Sequence, residues 1–179
     1  MIHYLTPYSL EKDLGKAYNQ AASLITNQED WLCLLDADTA FLSPDFGHQI
    51  QEIISLNPDV GLLTCVTNRI GNLDQAYNGI ISEETDILKH RQIALDLAKS
   101  KRHRVKKIPN PISGHLMLLK KATWDIIGGA PEGRGILSID NTISNRVVRN
   151  GFDILLMEGV YLFHFYRLDT GRHNKSHLK

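Results

Sequence analysis

Apolar positions along the chain follow two different rhythms. Residues 31–35 (WLCLL) form a short apolar run without alternation, and 60–66 are nearly as apolar, the pattern of strands buried on both faces. Elsewhere the apolar spacing is three and four. Leu14, Ala17, Tyr18, Ala21, Ala22 and Ile25 form one stripe of a helix over residues 10–26. Phe46, Ile50, Ile53 and Ile54 form the stripe of a second helix. Ser43-Pro44-Asp45 opens it, with Ser as N-cap, Pro at the first helical position and Asp near the positive end of the dipole.

The remaining elements follow from the same signals. Residues 2–8 predict a strand, and 67–82, holding Asn, Gly and Asp, a loop. A long helix is expected over 83–103, ending in a basic run. Past the Pro-Asn-Pro break at 109–111 come a strand over 115–119 and a short helix ending at Gly128-Gly129. Ser138 caps a further helix, which stops at Asn150-Gly151, where Gly suits a left-handed C-terminal turn. Two last strands are read at 152–156 and 160–165, and a polar, mobile tail at 169–179. Strands alternating with helices predict an α/β sandwich with a mostly parallel central sheet, as one domain over residues 1–168.

Composition narrows the function classes. A chain of 179 residues suits one domain with a real core. Lys plus Arg and Asp plus Glu are 20 each, and this balance argues against a general nucleic-acid binder. No apolar run approaches the ~20 residues of a membrane span. Residues 1–7 are too short and polar for a signal peptide, so a cytoplasmic protein is expected. Cys33 and Cys65 lie inside apolar runs and read as reduced core thiols. The basic run of Lys99, Lys101, Arg102, Arg104, Lys106 and Lys107 reads as a solvated helix end. Its alternative is contact with anionic lipid or phosphate, which would place the protein at the inner membrane face.

The segment that carries chemistry is WLCLLDADTAFLSPDF. A buried strand runs directly into Asp36-Ala37-Asp38, and ligands of open α/β sheets bind beyond the carboxyl ends of strands. Two carboxylates in that position suit a hard cation, Mg²⁺ or Mn²⁺. The plain alternative is a pair of solvated loop aspartates.

Several blocks in order resemble the family 2 glycosyltransferases of the GT-A, Rossmann-like fold. The first is Gly15-Lys16-Ala17-Tyr18-Asn19, followed by the strand, Asp36-Ala37-Asp38 and Ser43-Pro44-Asp45. Later come Ser113-Gly114-His115-Leu116-Met117-Leu118-Leu119-Lys120-Lys121, then Trp124 and Ile127-Gly128-Gly129. Ile139-Asp140, Arg146, Gly151 and His164 complete the series, which covers residues 2–167.

The resemblance implies transfer of a sugar from a nucleotide-diphosphate donor to an acceptor that is a saccharide, a lipid-linked molecule or a protein. It makes Asp36, Asp38 and His164 the ligands of Mn²⁺ or Mg²⁺, with Asp36 also touching the ribose and sugar. Asp140 matches the catalytic base, and its alternative is a carboxylate stabilised by a helix dipole. Ile139 stands where the family commonly has Glu. Thr6, Pro7 and Tyr8 begin the nucleotide loop, with Tyr8 placed to stack on the base, and Asn19 belongs to the same donor side. Arg69, after the strand at 60–66, meets a donor phosphate or is a surface residue. Trp124 reads as core before acceptor platform, and Arg167 and Arg172 would close over the diphosphate.

One departure is large. The family's stretch of about fifty residues between the nucleotide loop and the Gly-Ala-Asn helix is nearly absent, so the N-terminal nucleotide-binding half is shortened. That implies an uncovered sheet edge near residues 1–30, and a homodimer or partner chain over Tyr4, Leu5, Tyr8 and Leu10. It also supports a rival function, a nucleotide-sugar-binding or structural relative without turnover inside a larger assembly. A nucleotidyltransferase ranks last, since residues 1–14 hold no Gly for a phosphate loop.

Overall fold

The computed structural model describes residues 1–109 and 111–165. The chain runs β1 (Ile2–Leu5), α1 (Leu14–Ser23), β2 (Trp31–Leu35), β3 (Thr39–Phe41), α2 (Phe46–Leu56) and β4 (Leu62–Thr67). Two short 3-10 turns, Leu73–Gln75 and Tyr77–Gly79, precede α3 (Ile87–Ser100) and β5 (Val105–Lys107). Then come β6 (Leu116–Lys120), α4 (Lys121–Ile126), α5 (Ile139–Arg149) and β7 (Ile154–His164).

The strands form one sheet in the order β1-β2-β6-β4-β7-β3, with β5 also beside β7. The pairs β1–β2 and β4–β7 are parallel, while β6 runs against β2 and β4, and β3 and β5 run against β7. The result is a mixed open sheet in which β1, β2, β4 and β7 share one direction. The expected α/β architecture is present, with β6 reversed near its centre.

Both faces of the sheet are buried, which is why β2 shows no alternation in sequence. Leu32 and Leu34 point into one layer with Tyr18, Ala22, Ala94, Leu97, Trp124, Ile143 and Val147 from α1, α3, α4 and α5. Trp31 and Cys33 point into the other, against Ile50, Ile53 and Ile54 of α2. Cys33 and Cys65 are buried free thiols. Trp124 is 3% exposed and belongs to the first layer, not to a surface platform. Each large apolar side chain buried in this way contributes roughly 1.5–3 kcal/mol.

Element ends differ from the sequence reading for local reasons. The first helix starts at residue 14, not 10, because Ser9–Lys12 forms a turn, with Lys12 at φ 56° and Asp13 capping Lys16 N at 3.1 Å. The cap position of α2 falls on Asp45, whose carboxylate goes to Arg102 at 2.8 Å and not to the helix N–H groups; Ser43 is buried upstream. Asp86 caps α3 through Leu88 N at 2.9 Å. That helix ends at Ser100, because residues 105–107 pair with β7 as a strand that sequence periodicity did not reveal. The two last strands are one long strand whose register with β4 slips between Cys65 and Val66, facing residues 157–161. β3 was also not anticipated. The tail at 169–179, with Arg172, and Arg167 before it lie outside the described residues.

The basic run is largely neutralised. Lys101 and Arg104 reach Glu158 at 3.2 and 3.3 Å, Arg102 reaches Glu52 at 2.8 Å as well as Asp45, and Lys107 pairs with Asp153. The expected helix end holds for Lys99 alone, since α3 stops at Ser100 and Lys106 and Lys107 lie on β5. Among the described residues no helix is long and apolar enough to cross a membrane. At the far edge of the sheet, among the described residues, β1 pairs only with β2. Tyr4 there packs edge-on against Phe41 and Phe46, while Tyr8 and Leu10 are exposed.

Candidate metal centre and acidic cleft

The carboxyl ends of β2, β4 and β7 meet at one edge of the sheet. β2 ends at Leu35, and Asp36 follows, with its N–H donating to the carbonyl of His115 at 3.2 Å. The chain turns back at once into β3: Thr39 Oγ1 donates to the Asp36 carbonyl at 2.7 Å, and Thr39 is registered opposite His164. Phe165 N donates to the Asp38 carbonyl at 2.9 Å. The tight β2–β3 turn therefore puts both aspartates beside the last residue of β7, across more than a hundred residues of sequence.

His164 Nε2 lies 3.2 Å from Asp38 Oδ1 and 3.8 Å from Asp36 Oδ2. One ligand atom from each of the three residues falls within 4.8 Å of the others. The imidazole is buried, with 3% exposure, whereas the Asp38 side chain is 51% exposed. Nitrogen thus approaches from beneath and oxygen from the open side. Two carboxylate oxygens and one imidazole nitrogen fit a divalent cation such as Mn²⁺ or Mg²⁺, and Mn²⁺ better, because it accepts nitrogen readily.

The electrostatics divide the two aspartates. Burial pushes Asp36 up, only partly offset by His164, and the neighbouring Asp38 and Asp140 push it the same way. Burial acts on Asp38 too, but the hydrogen bond and charge of His164 together outweigh it and hold that carboxyl below its usual range. Beneath them His115 is fully buried, its ring stacked 6.0 Å from that of His164. Burial, with the charge of His164, brings its pKa down to about 3, so it is a neutral hydrogen-bonding group at pH 7.

Asp140 lines the same cleft as Asp36 and His164. Asp36, His164 and Asp140 line a cavity of about 280 Å³ together with Leu14, Tyr18, Ser113, Gly114 and residues 136–139. Asp38 is not among the lining residues. The Asp140 carboxylate accepts from Gly114 N at 3.0 Å and from Asn141 N at 2.8 Å. Burial nevertheless wins over these bonds and raises its pKa. Gly114 is required there, since a Cβ on it would lie 2.9 Å from the Asp140 Cβ. Tyr18 lies near both acids: after burial, the charges of Asp36 and Asp140 are what raise its pKa.

The other predicted donor-side residues, Thr6, Pro7, Tyr8, Asn19 and Arg69, are not among those that line this cavity. Asn19 clamps the loop before α5. Its Oδ1 accepts from Ala130 N at 2.9 Å, and its Nδ2 donates to Ala130 O and Glu132 Oε1 at 3.0 and 2.7 Å. Gly15 serves the same contact, because a side chain there would strike the backbone of Pro131. Arg69 is not the surface residue that its position also allowed. It is 2% exposed and donates to Ser82 O and Glu83 Oε2, both at 2.7 Å. Thr6, Pro7 and Tyr8 lie in the connection from β1 to α1. Tyr8, 80% exposed, lines a separate hollow with Lys16, Ala17 and Gln20.

Sequence reasoning missed Tyr18, Asn68 and His115 as parts of the site. Tyr18 was visible as an apolar helix position and His115 as the start of a strand, and both stood inside the resembling blocks without a role of their own. A search of protein-family models finds no match for this chain, and a search of curated proteins finds none.

Proposed function

We propose that the protein is a metal-dependent glycosyltransferase of the family 2, GT-A type, which moves a sugar from a nucleotide-diphosphate donor to an acceptor hydroxyl. The observation that carries this reading is the meeting of Asp36, Asp38 and His164 at a strand-end corner, with Asp140 in the same cleft. Two of the resembling blocks also touch: Arg146 donates to the carbonyls of Gly128 and Gly129 at 2.9 and 2.6 Å.

Asp36, Asp38 and His164 would hold Mn²⁺ or Mg²⁺, which supplies positive charge against the departing diphosphate. Asp140 takes the proton of the acceptor hydroxyl as that oxygen attacks the anomeric carbon. Its raised pKa matches a base that must bind a proton during the step, and the Gly114 and Asn141 N–H groups hold both oxygens in place. Leu14, Ile136, Leu137 and Ile139 give the cleft an apolar wall that limits water near the reacting centre.

A second reading has its own support. The cavity of about 280 Å³ lies just below the range of ligand pockets, roughly 300–1,000 Å³. It suits a sugar and phosphates better than a whole nucleotide sugar. On that reading the chain binds donor only within a larger assembly, and the open edge at β1 is where a second copy or partner joins. Calorimetric titration with a panel of nucleotide sugars, with and without Mn²⁺, tests the choice. Manganese-dependent donor binding by the isolated chain supports the enzyme; no binding with any donor overturns it.

A further inference from the structure

The parallel ladder between β4 and β7 ends at Thr67 opposite Leu162, two residues short of His164. The side chain of Asn68 continues it. Asn68 Oδ1 accepts from His164 N at 2.7 Å, and Asn68 Nδ2 donates to His164 O at 3.0 Å, so the amide pairs with this residue as a neighbouring peptide would. Thr67 Oγ1 donates to the same Oδ1 at 3.2 Å, and Asn68 is 1% exposed. The next carbonyl, that of Arg69, lies 3.0 Å from His164 Nδ1. A carbonyl oxygen only accepts, so this bond places a proton on Nδ1. The segment is itself tied down: Ser82 N donates to Asn68 O at 2.9 Å, and the Arg69 guanidinium holds Ser82 and Glu83.

We infer that Asn68 is a positioning residue of the cation site. By standing in for a missing strand it fixes the backbone of His164, so that Nδ1–H donates to the Arg69 carbonyl and Nε2 is presented to Asp36 and Asp38. Groups that orient a ligating imidazole in this way set metal affinity without touching the metal. The inference rests on the cation-binding part of the proposed function and not on sugar transfer.

The test titrates the full-length, metal-free chain with Mn²⁺ alone by calorimetry. Asn68→Leu keeps the branching and the number of side-chain heavy atoms and removes both hydrogen bonds. We expect Mn²⁺ to bind this variant about 10–100-fold more weakly than the wild type, with a cooperative thermal melt retained. A melt lowered while Mn²⁺ affinity stays within about twofold of wild type would mean a merely structural role and overturns the inference. A second measurement stands if the variant does not fold. Nitrogen NMR of His164 in the wild type with Zn²⁺ alone should show Nε2 shifting and Nδ1 keeping its proton. Zn²⁺ shifting Nδ1, or neither nitrogen, overturns the inference. A wild type that takes Mn²⁺ and Zn²⁺ as expected but transfers no sugar leaves it intact and removes only the transferase reading.

Discussion

Asp38 and His164 stand on strand ends 3.2 Å apart, whereas Asp140 stands on the first turn of a helix that follows a loop. The two sides of the cleft are held by different means. The His164 side is braced by main-chain ladders: β3 pairs with β7 up to His164, and Asn68 closes the other side. The Asp140 side depends on a few side-chain clamps. Asn19 and Gly15 hold the loop at Ala130–Glu132, Gly133 N donates to Asp13 at 2.8 Å, and Ser138 adopts a left-handed φ of 64° just before the helix. One corner is thus held by continuous pairing along the sheet and the other by separate loop contacts. Metal binding needs fixed geometry, and an acceptor must enter and leave, so the division suits the proposed reaction.

Substitutions can break either side alone. The largest effect is expected from His164→Ala or Asp38→Ala. Each removes a ligand, and Mn²⁺ affinity by calorimetry should fall by roughly 10³-fold, with transfer lost in parallel, since such a cation supplies several kcal/mol. Unchanged Mn²⁺ affinity in both would dissolve the metal corner.

Next comes Asp140→Asn, which should cut transfer by about 10²–10⁴-fold and leave Mn²⁺ affinity untouched. The pH dependence sharpens this. A base works deprotonated, and the Asp140 pKa is raised by burial. Transfer by the wild type should therefore climb as pH rises through that raised value and lose the climb in the variant. The same shift acts on stability with a fixed sign. Between the ordinary carboxyl pKa and the raised one the folded chain holds the extra proton, so this group's contribution declines as pH rises there. A rate in Asp140→Asn equal to wild type would reduce the residue to a helix-start carboxylate.

A smaller loss is expected for Gly114→Ala. The added methyl meets the Asp140 Cβ at 2.9 Å and displaces the carboxylate. A misplacement near 1 Å costs about 10²-fold in transfer, again with Mn²⁺ affinity preserved. The smallest is Asn19→Ala, which frees the loop ahead of α5. Losing its bonds to Ala130 should lower stability by about 1–3 kcal/mol. Transfer should drop only severalfold, and a thermal melt with a rate assay reads both. If Asn19→Ala weakens Mn²⁺ binding as much as it slows transfer, the two sides are not independent and the comparison fails.

The α/β architecture and the strand at 31–35 were legible because β2 is buried on both faces and its neutral run admits little else. Strands β3 and β5 were not. Each has three residues, and sheet pairing with β7, not local pattern, makes them strands. Arg69 shows the same limit in the site. Its position after a strand end left a phosphate contact and a surface place both open; burial removes the second, and its guanidinium bonds Ser82 and Glu83, partners that periodicity does not encode. Asn19 was legible as a motif residue but not as a loop clamp, because its partners lie 111 and 113 residues away.

What the sequence determined by itself is local: which runs bury both faces, which stripes make helices, and that two carboxylates follow a buried strand. It also placed Asp36, Asp38, Asp140 and His164 at element ends, where side chains can leave the core. Tertiary structure alone decided which of these ends meet. The order β2-β6-β4-β7, with β3 folded back along β7, brings residue 164 beside residues 36 and 38. It also turns Asn68 into a strand substitute and Gly114 into the seat of Asp140. The physical reason is that ladder pairing and close packing are long-range choices. They are set by how all the buried faces fit together, and no single segment carries that information.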